Sequence, residues 1–255
     1  MKILSIVIPS YNESNYIVKT IQRALEQNVG GFNKELIIID DGSQDDTSKK
    51  IIDFLQSNKF NTKSLRPQKK YFQKDKSSVT LISFKKNSGK GNALKSGFLL
   101  SKGEIVIVQD ADLEYSPANY PLLLQPFVKE NADAVYGSRF ISHAPHRVLY
   151  FWHSIGNQFL THLSNMFTNL NLTDMETGFK AFRGDLIRTI SPQLRSSRFG
   201  FEPEITARLA KIKNLKIYEV GISYMGRTYA EGKKIQWKDG LWAIFQIIKY
   251  NLFIR

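Results

Sequence analysis

The first 140 residues alternate short, continuous apolar runs with amphipathic stretches. The apolar runs predict β-strands at 3–8, 35–39, 79–84, 105–108 and 132–136. The stretches between them predict helices at 14–27, 45–56, 93–101 and 117–130. Continuous β-branched runs are typical of strands that are buried on both faces, and strands that alternate with helices form parallel sheets. The pattern therefore predicts an α/β fold with a mainly parallel sheet covered by helices.

From about residue 140 the alternation stops and the pattern becomes mainly helical. It predicts helices at 146–168, at 203–211 and from 239 onward, with one strand at 216–224. The last helix carries an apolar stripe, which consists of Leu241, Ile244, Phe245, Ile248 and Leu252. Such a stripe either packs on the core of the protein or lies on a membrane surface, where aromatic and basic flanks are typical. We expect a single domain over residues 1–255, with halves at 1–140 and 141–255.

Charge and composition narrow the classes of function. The chain has 255 residues, no cysteine and a formal net charge of +13. The lack of cysteine excludes disulfides, thiolate metal sites and cysteine nucleophiles, and it fits a reducing compartment. No apolar run approaches the roughly 20 residues that cross a bilayer, and the run 3–8 is too short for an export signal. The positive charge favours an anionic partner: nucleic acid, a phosphorylated substrate or a membrane surface.

A lysine-rich segment, residues 57–78, accounts for part of the positive charge. It lies between a predicted helix and a predicted strand, in a context rich in Asn, Ser, Gln and Lys. Because it is longer than a usual connection, we expect a solvated surface loop. A contact with phosphate or with a membrane is the alternative.

Polar side chains follow four of the predicted strands at the point where each strand ends. The segments are Pro9-Ser10-Tyr11-Asn12-Glu13, Asp40-Asp41-Gly42-Ser43, Asn87-Ser88-Gly89-Lys90-Gly91-Asn92 and Asp110-Ala111-Asp112-Leu113-Glu114. Parallel sheets bind ligands at the carboxyl ends of their strands. Asp110 and Asp112 are oxygen donors of the kind that Mg²⁺ and Mn²⁺ prefer. The glycine segment fits neither a dinucleotide fingerprint nor a P-loop, because Leu94 and Phe84 stand where those patterns need glycine.

Together these segments resemble the family-2 glycosyltransferases, which have the GT-A fold. Two later segments, Tyr136-Gly137-Ser138-Arg139-Phe140 and Thr177-Gly178-Phe179-Lys180, continue the match, which spans about residues 3–230 in family order. Within the family the chain is most similar to the dolichyl- and polyprenyl-phosphate hexosyltransferases, the group of dolichol-phosphate mannose synthase. The resemblance implies an inverting, metal-dependent hexosyltransferase. Its donor would be a nucleotide-diphosphate sugar of the GDP-mannose or UDP-glucose type, and its acceptor a polyprenyl or dolichyl phosphate.

The resemblance also implies roles for single residues and for the two halves. Residues 1–140 would bind the nucleotide sugar and 141–255 the acceptor. The donor-binding residues would be Pro9, Tyr11, Glu13, Asp41, Lys90, Gly91, Asp110, Ala111, Asp112, Arg227 and Lys234. Asp110, Asp112 and Glu114 would hold Mg²⁺ or Mn²⁺, and Asp112, Arg139, Arg147 and Glu204 would be catalytic. Arg227 and Lys234 would belong to a flexible basic loop near the acceptor.

The choice of acceptor decides which catalytic groups are needed. A phosphomonoester is already a nucleophile near pH 7 and needs arginines to position it, for which Arg139 and Arg147 are the candidates. A sugar hydroxyl would need a general base, with Asp174, Glu176 and Glu204 as candidates. Two functions are alternatives to transfer onto a lipid phosphate. One is transfer to a glycan hydroxyl, and the other is a scaffold that binds nucleotide sugars without turnover. We expect a peripheral protein on the cytoplasmic face of a membrane and no nucleic-acid partner, because the carboxylates would repel phosphates without a metal.

Overall fold

A computed structural model describes residues 2–66, 69–142, 147–148, 150–198, 200–228, 231 and 237–253. The strands are β1 (Ile3–Ser10), β2 (Asn33–Asp40), β3 (Asn61–Arg66), β4 (Lys69–Lys74), β5 (Ser77–Ser83), β6 (Ile105–Val108), β7 (Ala134–Ser138), β8 (Lys180–Arg183) and β9 (Ile217–Gly221). The helices are α1 (Ile17–Glu26), α2 (Thr47–Ser57), α3 (Lys90–Leu100), α4 (Tyr120–Lys129), α5 (Phe151–Thr168), α6 (Gly184–Ile190), α7 (Phe201–Ala210) and α8 (Trp237–Ile248).

The strands of the described residues form one sheet in the order β3-β4-β5-β2-β1-β6-β8-β7-β9. Its centre, β5-β2-β1-β6, is parallel throughout, as the apolar runs predict. β8 lies antiparallel between β6 and β7, and β9 pairs parallel with β7. The sheet therefore crosses the boundary at residue 140. The short strand β8, with charged residues at both ends, has no pattern that predicts it.

The lysine-rich segment 57–78 is not the loop that its composition predicts. Its residues form β3 and β4, a hairpin that pairs antiparallel with the edge of β5. Phe72 in β4 lies opposite Val79 of β5, and both side chains are fully buried. The buried side chain of Phe72 thus attaches the hairpin to the core, although the sequence of the hairpin is mostly polar.

Two apolar clusters cover the two faces of the sheet. Ile6, Ile8 and Ile38 point to one face, where α1, α2 and α4 pack. Val7 and Ile37 point to the other face, which is covered by α3, α5, α6, α7 and α8. Adjacent positions of one strand are therefore both buried, which explains why the runs are continuously apolar. The polar segments that the sequence singles out lie beyond the strand ends.

Helix α8 packs on the core through the buried side chains of Ala243 and Ile247 and through Ile244 of the predicted stripe, which is partly buried. Leu241, Phe245 and Leu252 of the stripe are exposed. The neighbouring helix α5 also exposes large apolar side chains, namely Phe151, Trp152, Ile155, Phe159, Met166 and Phe167. Helices α5 and α8 contact one another. The structure therefore places an apolar surface on the outside of this helix pair, which we call the α5–α8 surface.

Candidate functional site

The carboxyl ends of β1, β2 and β6 meet at one edge of the sheet. Ser10 lies opposite Asp40 in the register of β1 and β2, and β6 pairs with β1 on its other side. The chain then turns sharply, and Gly42 has φ 73°, a left-handed conformation that favours glycine. A side chain at this glycine would also clash with the backbone of Lys86. The turns bring together three of the polar segments that the sequence singled out.

Asp41 holds the glycine segment in place. One carboxylate oxygen accepts a hydrogen bond from the Ser88 N–H and the other from the Gly89 N–H, each at 2.7 Å. Burial raises the pKa of Asp41, and the two backbone N–H groups oppose that rise. Both oxygens of Asp41 thus position the loop, and its contact with the nucleotide stays a prediction. Gly89, with φ 94°, touches the backbone of Ser197 so closely that a Cβ would clash.

Lys90 lies at the centre of the site, at the first turn of α3. Its ammonium is 2.9 Å from a carboxylate oxygen of Asp110 and 3.2 Å from one of Glu202. Burial lowers the pKa of Lys90, but the two carboxylates more than offset that effect, so the pKa is raised. Gly178 packs directly on this ion pair, where a Cβ would clash with the Asp110 carboxylate. Lys90 is thus a fixed positive charge.

Arg227 provides the second positive charge. Its guanidinium donates to Asp112 over 2.7 Å and lies 3.3 Å from Glu114 and 3.5 Å from Glu13. Glu114 also accepts from the Arg227 backbone N–H and from the Tyr224 hydroxyl, both at 2.9 Å. Arg227 is far along the chain from Glu13, Asp112 and Glu114. The fold therefore assembles a charge cluster from the ends of β1 and β6 and the chain after β9.

The acidic residues after β6 have carboxylate oxygens, which are suitable ligands for a divalent cation. Burial raises the pKa of Asp112, and the negative charges of Asp110 and Glu114 raise it further. These carboxylates are thus close enough to repel one another, and oxygen donors suit Mg²⁺ and Mn²⁺. Within the described residues no group of three or more acidic or histidine side chains has the spacing of a complete metal site. Asp110, Asp112 and Glu114 are each engaged by a positive side chain, Asp110 by Lys90 and the other two by Arg227, so their role as metal ligands stays a prediction.

Arg139, the predicted partner of the acceptor phosphate, is engaged by a carboxylate. Its Nε and Nη2 donate to the two oxygens of Asp174 at 2.7 Å each, and its backbone N–H donates to the same carboxylate. Arg139 also lies over the ring of Tyr224, 5.3 Å from the centroid. Asp174 is fully buried, so this ion pair holds the chain after β7, while the catalytic roles of both residues stay predictions.

Arg147 remains at the surface, beside the chain that carries Arg227. Its guanidinium donates to the Gly226 carbonyl at 3.2 Å and to Glu231 at 2.7 Å. Hydrogen bonds from Thr228 and Arg147 lower the pKa of Glu231 to about 2. Lys234, the other residue predicted for the basic loop, lies outside the described residues.

Glu204 supports the chain behind the glycine segment, and its catalytic role stays a prediction. It is fully buried, and it accepts hydrogen bonds from the backbone N–H groups of Arg195 and Ser196. It also forms an ion pair with Arg208 at 2.8 Å. These contacts hold the chain around Ser197, whose carbonyl accepts from the Gly91 N–H at 2.9 Å. Glu204 therefore supports the glycine segment from behind.

The remaining predicted donor-site residues lie on the same edge. Pro9 is buried near the end of β1, and Tyr11 follows it with a partly exposed side chain. Glu13 is buried, and its backbone N–H donates to the Thr47 hydroxyl at 2.9 Å. The Ala111 carbonyl accepts from the Thr20 hydroxyl at 2.8 Å. The turns after β1 and β6 are thus held by side chains of α1 and α2.

Three further charged residues lie in the site. Glu202 pairs with Lys90, and the Lys180 ammonium donates to the carbonyls of Met175 and Thr177. Lys180 ends one of the family segments, and Glu176, one of the candidate bases, lies between those two carbonyls in the chain. Burial lowers the pKa of Lys180 and raises the pKa of Glu176. Of the three, only Glu202 has no role in the sequence-based prediction.

A comparison with protein families finds a match to the model described as Glycosyl transferase family 2, over residues 5–191. In the described part of the chain, no helix combines the length and apolar character needed to cross a membrane.

Similar proteins include enzymes that act on lipid phosphates. The dolichyl-phosphate beta-glucosyltransferase of Dictyostelium discoideum is 29% identical over 245 residues, covering 91% of this chain and 68% of that protein. The human protein of the same description is 29% identical over 273 residues, covering 100% of this chain and 75% of that protein. The UDP-N-acetylglucosamine–dolichyl-phosphate N-acetylglucosaminyltransferase of Methanococcus voltae is 26% identical over 233 residues, covering 90% and 88%. The predicted resemblance to this group is confirmed.

Solved structures of one enzyme share the fold. Glucosyl-3-phosphoglycerate synthase from Mycobacterium tuberculosis, in complex with Mn²⁺ and uridine-diphosphate-glucose, matches with a TM-score of 0.65 and 18% identity, over 98% of this chain and 77% of that chain. Its complex with Mg²⁺ and uridine-diphosphate matches with a TM-score of 0.64 and 19% identity, over 98% and 79%. At this level of sequence identity the matches show a shared fold and nothing more. The shared fold confirms the predicted GT-A class.

Proposed function

The chain belongs to glycosyltransferase family 2, and from this premise we propose that it transfers a hexose from a nucleotide-diphosphate sugar to a polyprenyl or dolichyl phosphate at a membrane surface. The observation that carries the proposal is the pairing of Lys90 with Asp110 and of Arg227 with Asp112 at the carboxyl edge of the sheet. Fixed charges of both signs at this edge suit a diphosphate and its cation. The names of the relatives from Dictyostelium and human support a lipid-phosphate acceptor.

On the donor side, the turns after β1 and β2 form the proposed nucleotide site, with Tyr11 and Glu13 beside the glycine segment that Asp41 holds. Breaking the sugar–diphosphate bond develops negative charge on the leaving nucleotide diphosphate. Lys90 and Arg227 are the positive groups nearest to that position, and their mostly buried environment strengthens their interaction with the charge.

Asp110 and Asp112 are the proposed ligands of Mg²⁺ or Mn²⁺. When bound, the cation neutralises charge on the diphosphate as a Lewis acid. In the structure Lys90 and Arg227 hold these two carboxylates, so a cation bound to Asp110 and Asp112 would compete with both positive side chains.

On the acceptor side, Arg147 and Arg227 are the proposed phosphate-binding groups. Arg147 is exposed and donates to Gly226, next to Arg227 in the chain. Arginine forms forked contacts with phosphate oxygens. The acceptor phosphate has a second pKa of about 6, so it is mostly a dianion near pH 7 and needs no general base. Arg139 donates to both oxygens of Asp174. In this proposal it stabilises the wall of the site and does not bind the phosphate.

The test of this function is a donor screen with the purified protein, Mg²⁺ or Mn²⁺ and a polyprenyl phosphate. UDP-glucose, UDP-N-acetylglucosamine and GDP-mannose are offered in turn, and lipid-linked hexose is measured with and without EDTA. We expect product from one donor, loss of product in EDTA, and a loss of at least about 100-fold in Asp112→Asn. Asp53→Asn, an exposed carboxylate of α2, is the matched control and should keep full activity.

Two outcomes would replace the proposal. Transfer only to a glycan hydroxyl would favour the alternative acceptor, and binding of a nucleotide sugar without turnover would favour a scaffold.

The membrane part of the proposal rests on the α5–α8 surface. Trp152 on α5 and Phe245 on α8 are both mostly exposed, and burial of apolar area in the interface of a bilayer is favourable. The net charge of +13 would add attraction to anionic lipids, about 1 kcal/mol for each well-placed Lys or Arg. The cytoplasmic face is part of the same proposal, because a chain without cysteine fits a reducing compartment.

Flotation with vesicles tests the membrane part. We expect the protein to float with vesicles that contain anionic lipid, and the double variant Trp152→Ser, Phe245→Ser to float about fivefold less. Val128→Ser removes an equally exposed apolar side chain from α4 on the opposite face and should change nothing. A concentration-dependent dimer that the double variant abolishes would show that a second copy, rather than lipid, covers this surface.

A further inference from the structure

Glu176 has a buried carboxylate oxygen without a partner. Its Oε1 is shielded from solvent and makes no hydrogen bond in the structure, although buried polar atoms are nearly always paired. The described part of the chain has two other side-chain atoms of this kind, Ser10 Oγ and Gln246 Oε1. Of the three, only Glu176 carries a charge when ionised, so it has the most to gain from a ligand.

The loop that carries Glu176 is held at both ends. Before it, Asp174 is locked by the forked contact with Arg139. After it, Gly178 packs on the Asp110 carboxylate and near the Lys90 ammonium. The Lys180 ammonium bonds the carbonyls on either side of Glu176. Glu176 is therefore presented by a rigid backbone, beside the pair that we assign to the diphosphate.

The charges around Glu176 decide which ligand chemistry fits. Burial raises its pKa, and the negative charge of Glu202 raises it further, while Lys180 and Arg139 oppose the rise. A phosphate would be repelled here by Glu202 and Asp174. A hydroxyl group suits the site in either protonation state, because a carboxylate accepts from it and a carboxylic acid donates to it.

We propose that Glu176 binds a hydroxyl group of the donor hexose and so takes part in selecting the sugar. The inference rests on the proposed function, since it assumes that the diphosphate lies at Lys90 and Asp110. The hexose attached to that diphosphate is the hydroxyl-rich group closest to the loop 174–178. A site that is built to bond a hydroxyl discriminates strongly against ligands that lack it, because its buried polar group is then left unpaired.

Calorimetric titration without acceptor tests the proposal. UDP and UDP-glucose are titrated into the wild type, Glu176→Gln and Glu176→Ala, with the GDP and GDP-mannose pair used if the donor screen selects it. We expect Glu176→Ala to weaken the affinity for UDP-glucose about tenfold and to change the affinity for UDP less than twofold. The effect of Glu176→Gln should lie in between. Gln246→Leu removes the unpaired amide oxygen on α8. This variant should leave the affinities for UDP and UDP-glucose unchanged.

The comparison of the two ligands separates a sugar contact from a structural role. Equal weakening of UDP and UDP-glucose, or no weakening of either, would overturn the proposal. Loss of turnover with unchanged affinity for UDP-glucose would also overturn it, in favour of a role at the acceptor. If the wild type binds no nucleotide sugar, the proposed function itself fails, and the inference fails with it.

Discussion

Arg227 and Asp112, which are 115 positions apart in the chain, form a hydrogen-bonded ion pair at 2.7 Å. The same guanidinium also contacts Glu114 and Glu13. One positive group thus neutralises three mostly buried carboxylates at the place where we propose a divalent cation. Arg227 and the cation consequently compete for Asp112.

Replacing Arg227 by methionine should tighten the binding of Mn²⁺ in the absence of nucleotide. The substitution keeps the apolar stem but leaves Glu13, Asp112 and Glu114 without their counter-charge. We expect an increase in affinity of about tenfold, or about 1.4 kcal/mol, measured by calorimetry, while transferase activity falls. Arg183→Met breaks an ion pair with Asp133 at the opposite end of β6 and serves as the control. Unchanged or weaker Mn²⁺ binding in Arg227→Met would contradict the competition.

A methyl group at Gly178 should reduce activity with little effect on stability. The Cβ would clash with the Asp110 carboxylate, which is the mobile end of a side chain and can move aside, so the fold survives. Asp110 then loses its contact with Lys90. We expect at least a tenfold loss in kcat and a thermal midpoint within about 2 °C of the wild type.

The matched control for this prediction is Gly156→Ala. Gly156 lies within α5, and a Cβ there would contact nothing. Because alanine is the better helix former, this variant should gain about 0.5–1 kcal/mol of stability and keep its activity. A normal kcat in Gly178→Ala would show that Asp110 need not be held by Lys90.

Glu204→Gln should destabilise the fold without changing the pH profile of the reaction. The amide removes the negative charge that faces Arg208, which keeps its hydrogen bonds to Gln193, and it offers a single acceptor oxygen to the N–H groups of Arg195 and Ser196. Breaking a buried ion pair costs about 3–5 kcal/mol, which urea unfolding would detect. Glu231→Gln, which breaks an exposed pair with Arg147, should leave the unfolding midpoint unchanged. A displaced pH optimum in Glu204→Gln would restore a role in proton transfer.

Glu176 should make the stability of the protein fall as the pH rises from about 5 to about 8. Burial and the charge of Glu202 raise its pKa to about 8, against the opposing charges of Lys180 and Arg139, with Asp174 adding to the rise. In this window the unfolded chain releases a proton that the folded state keeps, so ionisation favours unfolding. Glu176→Gln has no proton to release. Its stability relative to the wild type should therefore increase from pH 5 to pH 8, as thermal midpoints across that range would show; a constant difference would contradict the shift.

Local patterns in the sequence predict the elements of the sheet and the position of its polar edge. The strands β1, β2, β5 and β6 are continuous apolar runs because both faces are covered, and this can be recognised without knowing the neighbours. Asp110 and Asp112 follow β6 directly, so their place at the carboxyl edge also follows from local order. Most of the family motifs lie in these same segments, and two lie later in the chain, at 136–140 and 177–180.

Patterns of this kind fail where a contact joins distant parts of the chain. The sequence presents Arg139 as a ligand for phosphate and Glu204 as a catalytic residue, but it does not indicate the ion pairs that they form with Asp174 and Arg208. It likewise presents 57–78 as a loop, because the burial of Phe72 depends on β5.

The sequence by itself determined the α/β class, the parallel centre of the sheet and the acidic groups at its edge, since each depends on the burial and spacing of neighbouring residues. Only the tertiary structure decided which charges are paired: Lys90 with Asp110 and Glu202, and Arg227 with Asp112. The physical reason is that an ion pair depends on distance in space, and the distance between these groups is set by the packing of the whole sheet and its helices.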